Sequence, residues 1–327
     1  MKKRKLGNNG PEIGAIALGC MSFAGFYGAT DEAESHRTLA KALDLGVDHL
    51  DIANIYGQGL AEQVVGSFIK DNPHSFKIAT KAGIKLAPDR GYDNSPQYLA
   101  QCLEDSFKRL GVDYVDLFYI HRREQDRPIE DVTETMAGFI KQGKIGGFGF
   151  SEISPGSLER ASAVHHVMAV QSEYSLWSRL PDLGMIQACK RLGTAFVAFS
   201  PLARGMLTGV MPDPTKLGDT DFRKNQPRFN GVNFKYNVEK VSCFNAYAIE
   251  RGLTPEALAL AWCLHQGDHI IPIPGTRSPE HLANDAAAAD IDLSTDDMAT
   301  IEDLLPVGFA HGDRYTVEQY NGPERYC

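Results

Sequence analysis

Ile16-Ala17-Leu18-Gly19-Cys20-Met21-Ser22-Phe23 decides between two ways of folding everything that follows it. Short apolar or β-branched runs, each trailed by a stretch of helical periodicity, recur along the chain, and that alternation is the mark of a parallel sheet covered by helices. An open doubly wound sheet announces itself by G-x-G-x-x-G directly after its first strand. Here one glycine is followed by Cys, Met, Ser and Phe, so that fingerprint is absent. Eight strand–helix units with no long linker then predict a closed (β/α)8 TIM barrel, formed as one domain over residues 1–327.

The eight strands are expected near Ile16 to Leu18, His49 to Ile52, Phe76 to Thr80, Val115 to Ile120, Gly147 to Phe150, Ala169 to Ser172, Ala195 to Phe199 and Ile270 to Ile273. Ahead of them, Arg4 to Ile13 with its Gly7-Asn8-Asn9-Gly10 turn reads as a β-hairpin that plugs one end of the barrel. Ser95-Pro96, Ser154-Pro155, Thr254-Pro255 and Ser278-Pro279 each place a capping hydroxyl before a proline suited to a first helical position. In the helix after Pro96, Leu99, Cys102, Leu103, Phe107 and Leu110 form an apolar stripe, and Glu104 with Lys108 and Asp105 with Arg109 are expected to pair at i,i+4. Met211 to Tyr236 is rich in Pro, Gly and Asp and shows no clear period, which predicts a lid or clamp; the tail around Asp313-Arg314-Tyr315 is expected over the barrel mouth.

With 43% hydrophobic and 23% charged residues the chain can bury a large core. Its net charge of -9 argues against nucleic acid or an anionic membrane as the main partner. Six cysteines stand without a C-x-x-C pair, which excludes the usual zinc and redox motifs and predicts reduced, mostly buried thiols in a cytoplasm. The basic start Met1-Lys2-Lys3-Arg4-Lys5 lacks an apolar signal segment, and no apolar run is long enough to span a membrane.

Catalytic groups of a barrel collect where strands end, on its C-terminal face. Asp51 ends the second strand, with Tyr56 five residues on in Leu50-Asp51-Ile52-Ala53-Asn54-Ile55-Tyr56-Gly57; Lys81 ends the third and His121 the fourth. An Asp and a Lys after apolar strands predict a buried ion pair, since either alone costs several kcal/mol. An ammonium beside Tyr56 is expected to lower the phenol's pKa and make it a proton donor to a carbonyl oxygen, with His121 orienting that carbonyl or sharing the proton. No second ligand set accompanies His165-His166 or His265, so no metal is expected. Met21, Phe23, Phe26, Tyr27 and Trp177 are candidates to wall an apolar pocket, while Arg122-Arg123 either greet an anionic substrate or are solvated.

Asp51-x-x-x-x-Tyr56-Gly57, Thr80-Lys81 and Ile120-His121 resemble the catalytic tetrad of the aldo-keto reductase family in order and spacing. The resemblance runs through Leu18-Gly19-Cys20-Met21, Gly149-Phe150-Ser151-Glu152, Val170-Gln171-Ser172-Glu173-Tyr174, Phe199-Ser200-Pro201-Leu202 and Ile273-Pro274-Gly275-Thr276. It implies an NADPH-dependent reductase of a small-molecule aldehyde or ketone, with Tyr56 as general acid, Lys81 and Asp51 tuning it, and His121 binding the carbonyl. It also implies that Ser151 and Gln171 hold the nicotinamide carboxamide, Phe199 stacks on its ring, and Ser200, Leu202 and Gly205 run beside the pyrophosphate. Met21 joins this cofactor set, and Gly275-Thr276-Arg277-Ser278 opens a helix whose Arg277 is expected to clamp the adenosine 2'-phosphate. His281 and Asp285 are carried over to the adenine end of the cofactor site, where the sequence departs from the family's pattern at Asn284-Asp285 and at His281, as it also does at Asn54. Two other functions are kept in view: a cofactor-binding regulatory subunit with little turnover, and an aldolase forming a Schiff base on Lys81.

Overall fold

A computed structural model describes residues 1–85, 91–219 and 221–326. Strands β1 (Lys3–Lys5) and β2 (Glu12–Gly14) pair antiparallel with Arg4 opposite Ile13, giving the expected hairpin. Eight parallel strands follow: β3 (Leu18–Gly19), β4 (His49–Asp51), β5 (Lys77–Ala82), β6 (Leu117–Ile120), β7 (Phe148–Ser151), β8 (Ala169–Glu173), β9 (Ala195–Phe199) and β10 (Ile270–Ile273). They pair in sequence order, and the backbone N–H groups of Ala17 and Gly19 donate to the carbonyls of Pro272 and Pro274 at 3.1 and 3.0 Å, joining the first strand of the barrel to the eighth. The helices between strands include α1 (Glu32–Leu45), α2 (Leu60–Asp71), α3 (Pro96–Leu110), α4 (Ile129–Lys141), α5 (Pro155–Val164) and α6 (Met185–Leu192). After β9 come α7 (Gly231–Glu250) and α8 (Pro255–His265), and after β10 come α9 (Pro279–Ala287) and α10 (Thr295–Leu304). None of the helices among the described residues is long and apolar enough to cross a membrane.

The barrel is filled from the inside. Ala79, Leu117, Ala169, Ala195, Val197 and Ile271 meet in its interior, and the hairpin residues Leu6 and Ile13 join the same cluster, fully buried, as the plug. Space is tight: a Cβ on Gly149 would lie 2.4 Å from the Ala169 carbonyl oxygen and 2.5 Å from the Tyr119 ring. Ser95, Ser154, Thr254 and Ser278 each accept a hydrogen bond from the backbone N–H three residues on, at 3.2–3.3 Å, so the four proline-marked helix starts stand where the sequence puts them.

Two local expectations fail for tertiary reasons. On α3, Arg109 turns away from Asp105 to the fully buried Glu62 of α2 at 2.6 Å, and Glu104 takes Lys144 at 2.5 Å, leaving Lys108 to pair with Asp105 at i,i+3. A buried carboxylate outcompetes a solvated one for a guanidinium, because it has no water to fall back on. The stretch from Met211 to Tyr236 is not uniformly irregular either: short 3-10 turns at Pro214–Lys216, Phe222–Asn225 and Pro227–Phe229 lead into α7, which already begins at Gly231.

Candidate active site

The β4 and β5 strand ends bring Asp51 and Lys81 together at the barrel mouth, 2% and 0% exposed. Lys81 Nζ donates to Asp51 Oδ1, to the Ile52 carbonyl at 2.7 Å and to the Tyr56 hydroxyl at 3.5 Å. All three donors of the ammonium thus have acceptors, which is what a buried lysine requires. Burial pushes the Lys81 pKa down, but Asp51 and Tyr56 together carry it above its ordinary value. A lysine held protonated in this way is a poor nucleophile, so the geometry argues against the Schiff-base reading.

Tyr56 stands in the turn after β4, its N–H bonded to the Ala53 carbonyl at 3.1 Å, with the Lys81 ammonium 5.2 Å from its ring centroid. The direction of its pKa corrects the expectation drawn from sequence. Burial raises it, and although Lys81 pulls the other way, the net displacement is upward. The phenol therefore keeps its proton at neutral pH and has one to give.

His121, just past β6, meets Tyr56 edge to face at 5.8 Å between ring centroids. Neither ring nitrogen has a hydrogen-bond partner among the described residues, and Nδ1 is buried. Burial, then the charges of Arg122 and Lys81, hold its pKa well below the usual imidazole range. The ring is neutral and can offer an N–H without carrying charge. Beneath Tyr56, Asn54 bonds through its N–H to the Lys81 carbonyl at 3.1 Å while its buried Oδ1 has no partner among the described residues.

Of the residues expected to hold a cofactor, Gln171 bonds directly to this centre and the others follow the ends of β3, β7, β9 and β10. Ser151 and Gln171 are direct partners across β7 and β8. Gln171 Nε2 donates to Asp51 Oδ2 at 2.7 Å, which leaves its carbonyl oxygen for another donor. Ser151 Oγ accepts from Arg122 Nη1 at 3.0 Å and keeps its own hydrogen to donate. Phe199 is half-buried at the end of β9, and after it Ser200, Ala203, Arg204 and Gly205 all adopt positive φ, from 49° to 96°. Three non-glycine residues in that region cost about 1 kcal/mol or more each, and a loop of this kind turns backbone N–H groups toward an anion. Half-buried Met21 lies in the 3-10 turn Cys20–Ala24 that follows β3. Thr276 Oγ accepts from the Ser278 N–H at 3.0 Å at the entry to α9. Arg277 donates to the Tyr27 carbonyl at 3.1 Å and lies 3.6 Å from Glu34. Farther along α9, His281 is exposed, whereas burial and then Glu256 hold the Asp285 carboxyl well above its usual range.

A family model, that of the Aldo/keto reductase family, matches residues 15–306. The chain belongs to this family. An aldo-keto reductase of Schizosaccharomyces pombe, yakc, named for NADP(+), is 36% identical over 95% of this chain and 94% of its own length. Probable aldo-keto reductase 1 of Glycine max is 35% identical, covering 98% and 93%. Among solved structures, a glycerol dehydrogenase of Gluconobacter oxydans superposes with a TM-score of 0.85 at 25% identity, covering 96% of this chain and 98% of its own. The holo form of a Bacillus halodurans aldo-keto reductase gives 0.76, also at 25% identity, covering 98% and 99%.

What sequence reasoning missed in this aldo-keto reductase is the roof. Glu152 and Glu173, at the ends of β7 and β8, are both buried and face three arginines from distant loops. Arg314 of the tail pairs with Glu152, Arg204 with Glu173 at 2.8 Å, and Arg228 donates to Ser178 Oγ, whose hydroxyl bonds Glu173 at 2.6 Å. Arg123 is buried as well, bonded to Glu324 at 2.5 Å, so the solvated alternative fails for it. Arg223 adds a cation–π contact to Tyr27, and the Phe222 N–H bonds the Phe26 carbonyl at 3.4 Å, tying the irregular stretch before α7 to the loop after β3. Members of this cluster are scattered from 123 to 324 with no common spacing; the only signal was a charged residue directly after an apolar strand, present at both Glu152 and Glu173.

Proposed function

We propose that this aldo/keto reductase reduces an aldehyde or ketone to an alcohol with NADPH, and that Tyr56 donates the proton. The observation that carries the reading is the contact of the Tyr56 hydroxyl with an ammonium that is wholly buried and locked to Asp51. As negative charge gathers on a carbonyl oxygen beside it, Tyr56 releases its proton and the resulting phenolate is stabilised by Lys81. Neutral His121 supplies an N–H to the same oxygen and fixes its direction. Asp51 keeps Lys81 charged and in place through both stages.

The residues present fit a nicotinamide cofactor, which when bound supplies the hydride. The Ser151 hydroxyl has a hydrogen left to donate and Gln171 a carbonyl left to accept with, a complementary pair for a carboxamide. Phe199 offers an aromatic face, Met21 an apolar side chain, and the loop through Ser200, Leu202 and Gly205, with positive φ at Ser200 and from Ala203 to Gly205, a place for the pyrophosphate. Gly275, Thr276 and Arg277 at the start of α9 suit a 2'-phosphate, which favours NADPH over NADH, and the name of the fission-yeast relative points the same way. His281 and buried Asp285 would flank the adenine. Tyr56→Phe tests the core of the reading: turnover should fall by roughly 10²- to 10⁴-fold while NADPH, followed by fluorescence titration, still binds. Unchanged turnover would remove Tyr56 from its role.

A further inference from the structure

Resting on the carbonyl-reductase reading, we propose that Arg122 binds an anionic group carried by the substrate, a carboxylate or a phosphate placed a few bonds from the carbonyl. Four neighbouring arginines are each spoken for by a carboxylate: Arg123 by Glu324, Arg204 by Glu173, Arg223 by Asp221 and Arg314 by Glu152. Arg122 touches none among the described residues. The remaining carboxylates nearby are already matched, Asp51 by Lys81 and Glu124 by Arg127, so no carboxylate among the described residues compensates its charge.

The side chain is nonetheless held. Nη1 donates to the His121 carbonyl at 2.6 Å and to Ser151 Oγ at 3.0 Å. From above, the tail packs on its stem so closely that a Cβ on Gly322 would lie 2.9 Å from Arg122 Cδ and 2.6 Å from the Tyr92 hydroxyl. Nε and Nη2 have no partner among the described residues, and the residue is half-buried, open to an exchanging ligand. These two nitrogens form one edge of the guanidinium, the two-pronged donor that matches a carboxylate or phosphate. The place is also right: Arg122 follows His121 directly, and its field reaches both His121 and Tyr56, lowering the pKa of each. An anion seated there lies beside the reacting position.

The test is steady-state reduction with saturating NADPH of two matched pairs: a para-carboxylated benzaldehyde against its methyl ester, and glyceraldehyde phosphate against glyceraldehyde. Wild-type protein should prefer the anionic member of at least one pair, and which pair responds separates carboxylate from phosphate. In Arg122→Gln the anion-to-neutral ratio of kcat/KM should fall about 10- to 100-fold, chiefly through KM for the anion, and Arg122→Lys should keep part of it. A ratio unchanged in Arg122→Gln, or a wild-type protein that takes each neutral member as well as the anionic one, overturns the proposal while the reductase reading stands. Binding of NADPH with turnover of none of the four aldehydes overturns the reductase reading itself, and the Arg122 proposal with it.

Discussion

Replacing Glu173 by Gln removes one of two carboxylates that balance Arg204, Arg228 and Arg314 under the tail. Three cations against two anions become three against one. Burial works against the Glu173 charge, yet the three arginines and the Ser178 hydroxyl hold its pKa down at about 2, from an ordinary value of 4.5. That difference corresponds to about 3 kcal/mol of stability at neutral pH, in line with the roughly 3–5 kcal/mol cost of breaking a buried ion pair. Because the folded value lies below the unfolded one, the contribution is complete above about pH 5 and drains away as pH falls toward about 2. At an unfolding entropy of about 2 cal/mol/K per residue, Glu173→Gln should lower Tm at pH 7 by about 4–5 °C. Urea unfolding of both proteins, stepped from about pH 6 to about pH 3, should show the wild type losing stability more steeply and the two curves converging. Parallel curves, or a Tm within about 1 °C of wild type, would refute the reasoning.

Arg277→Gln should weaken NADPH binding by about 10- to 100-fold and leave NADH nearly unaffected, as read by fluorescence titration with each dinucleotide; equal losses for both would take the 2'-phosphate away from Arg277. Gly149→Ala should yield insoluble or unfolded protein, because its Cβ would collide with a backbone oxygen 2.4 Å away that cannot move without breaking the barrel. A soluble variant with wild-type circular dichroism and Tm would show that the interior has slack where none is expected.

Much of the barrel could be read from sequence because its signals are local. A serine or threonine before a proline caps a helix with atoms only three residues away, and all four such sites did so. The buried pair of Asp51 with Lys81 was legible because opposite charges at the ends of two apolar strands have few places to go but each other. What escaped depended on partners far along the chain. Arg109 bonds Glu62 rather than Asp105, and Arg204, Arg314 and Glu324 find their partners only once the loops have closed. The Tyr56 pKa went the wrong way for a related reason: a sequence shows which charge is near, whereas burial, the larger influence here, is a property of the finished fold.

The bond between Gly19 and the Pro274 carbonyl joins positions about 250 residues apart, and the arginine that neutralises Glu152 lies farther on still. During synthesis the whole proposed tetrad, complete by His121, leaves the ribosome long before the strand that closes the cylinder and the tail that covers it. Until then Glu152 waits without its cation, and an unfinished chain has neither a closed wall nor a neutral roof. The proposed centre is thus made first and roofed last, so a polypeptide cut short before its final two dozen residues keeps the wall and the proposed tetrad but lacks Arg314 and Glu324 of the roof.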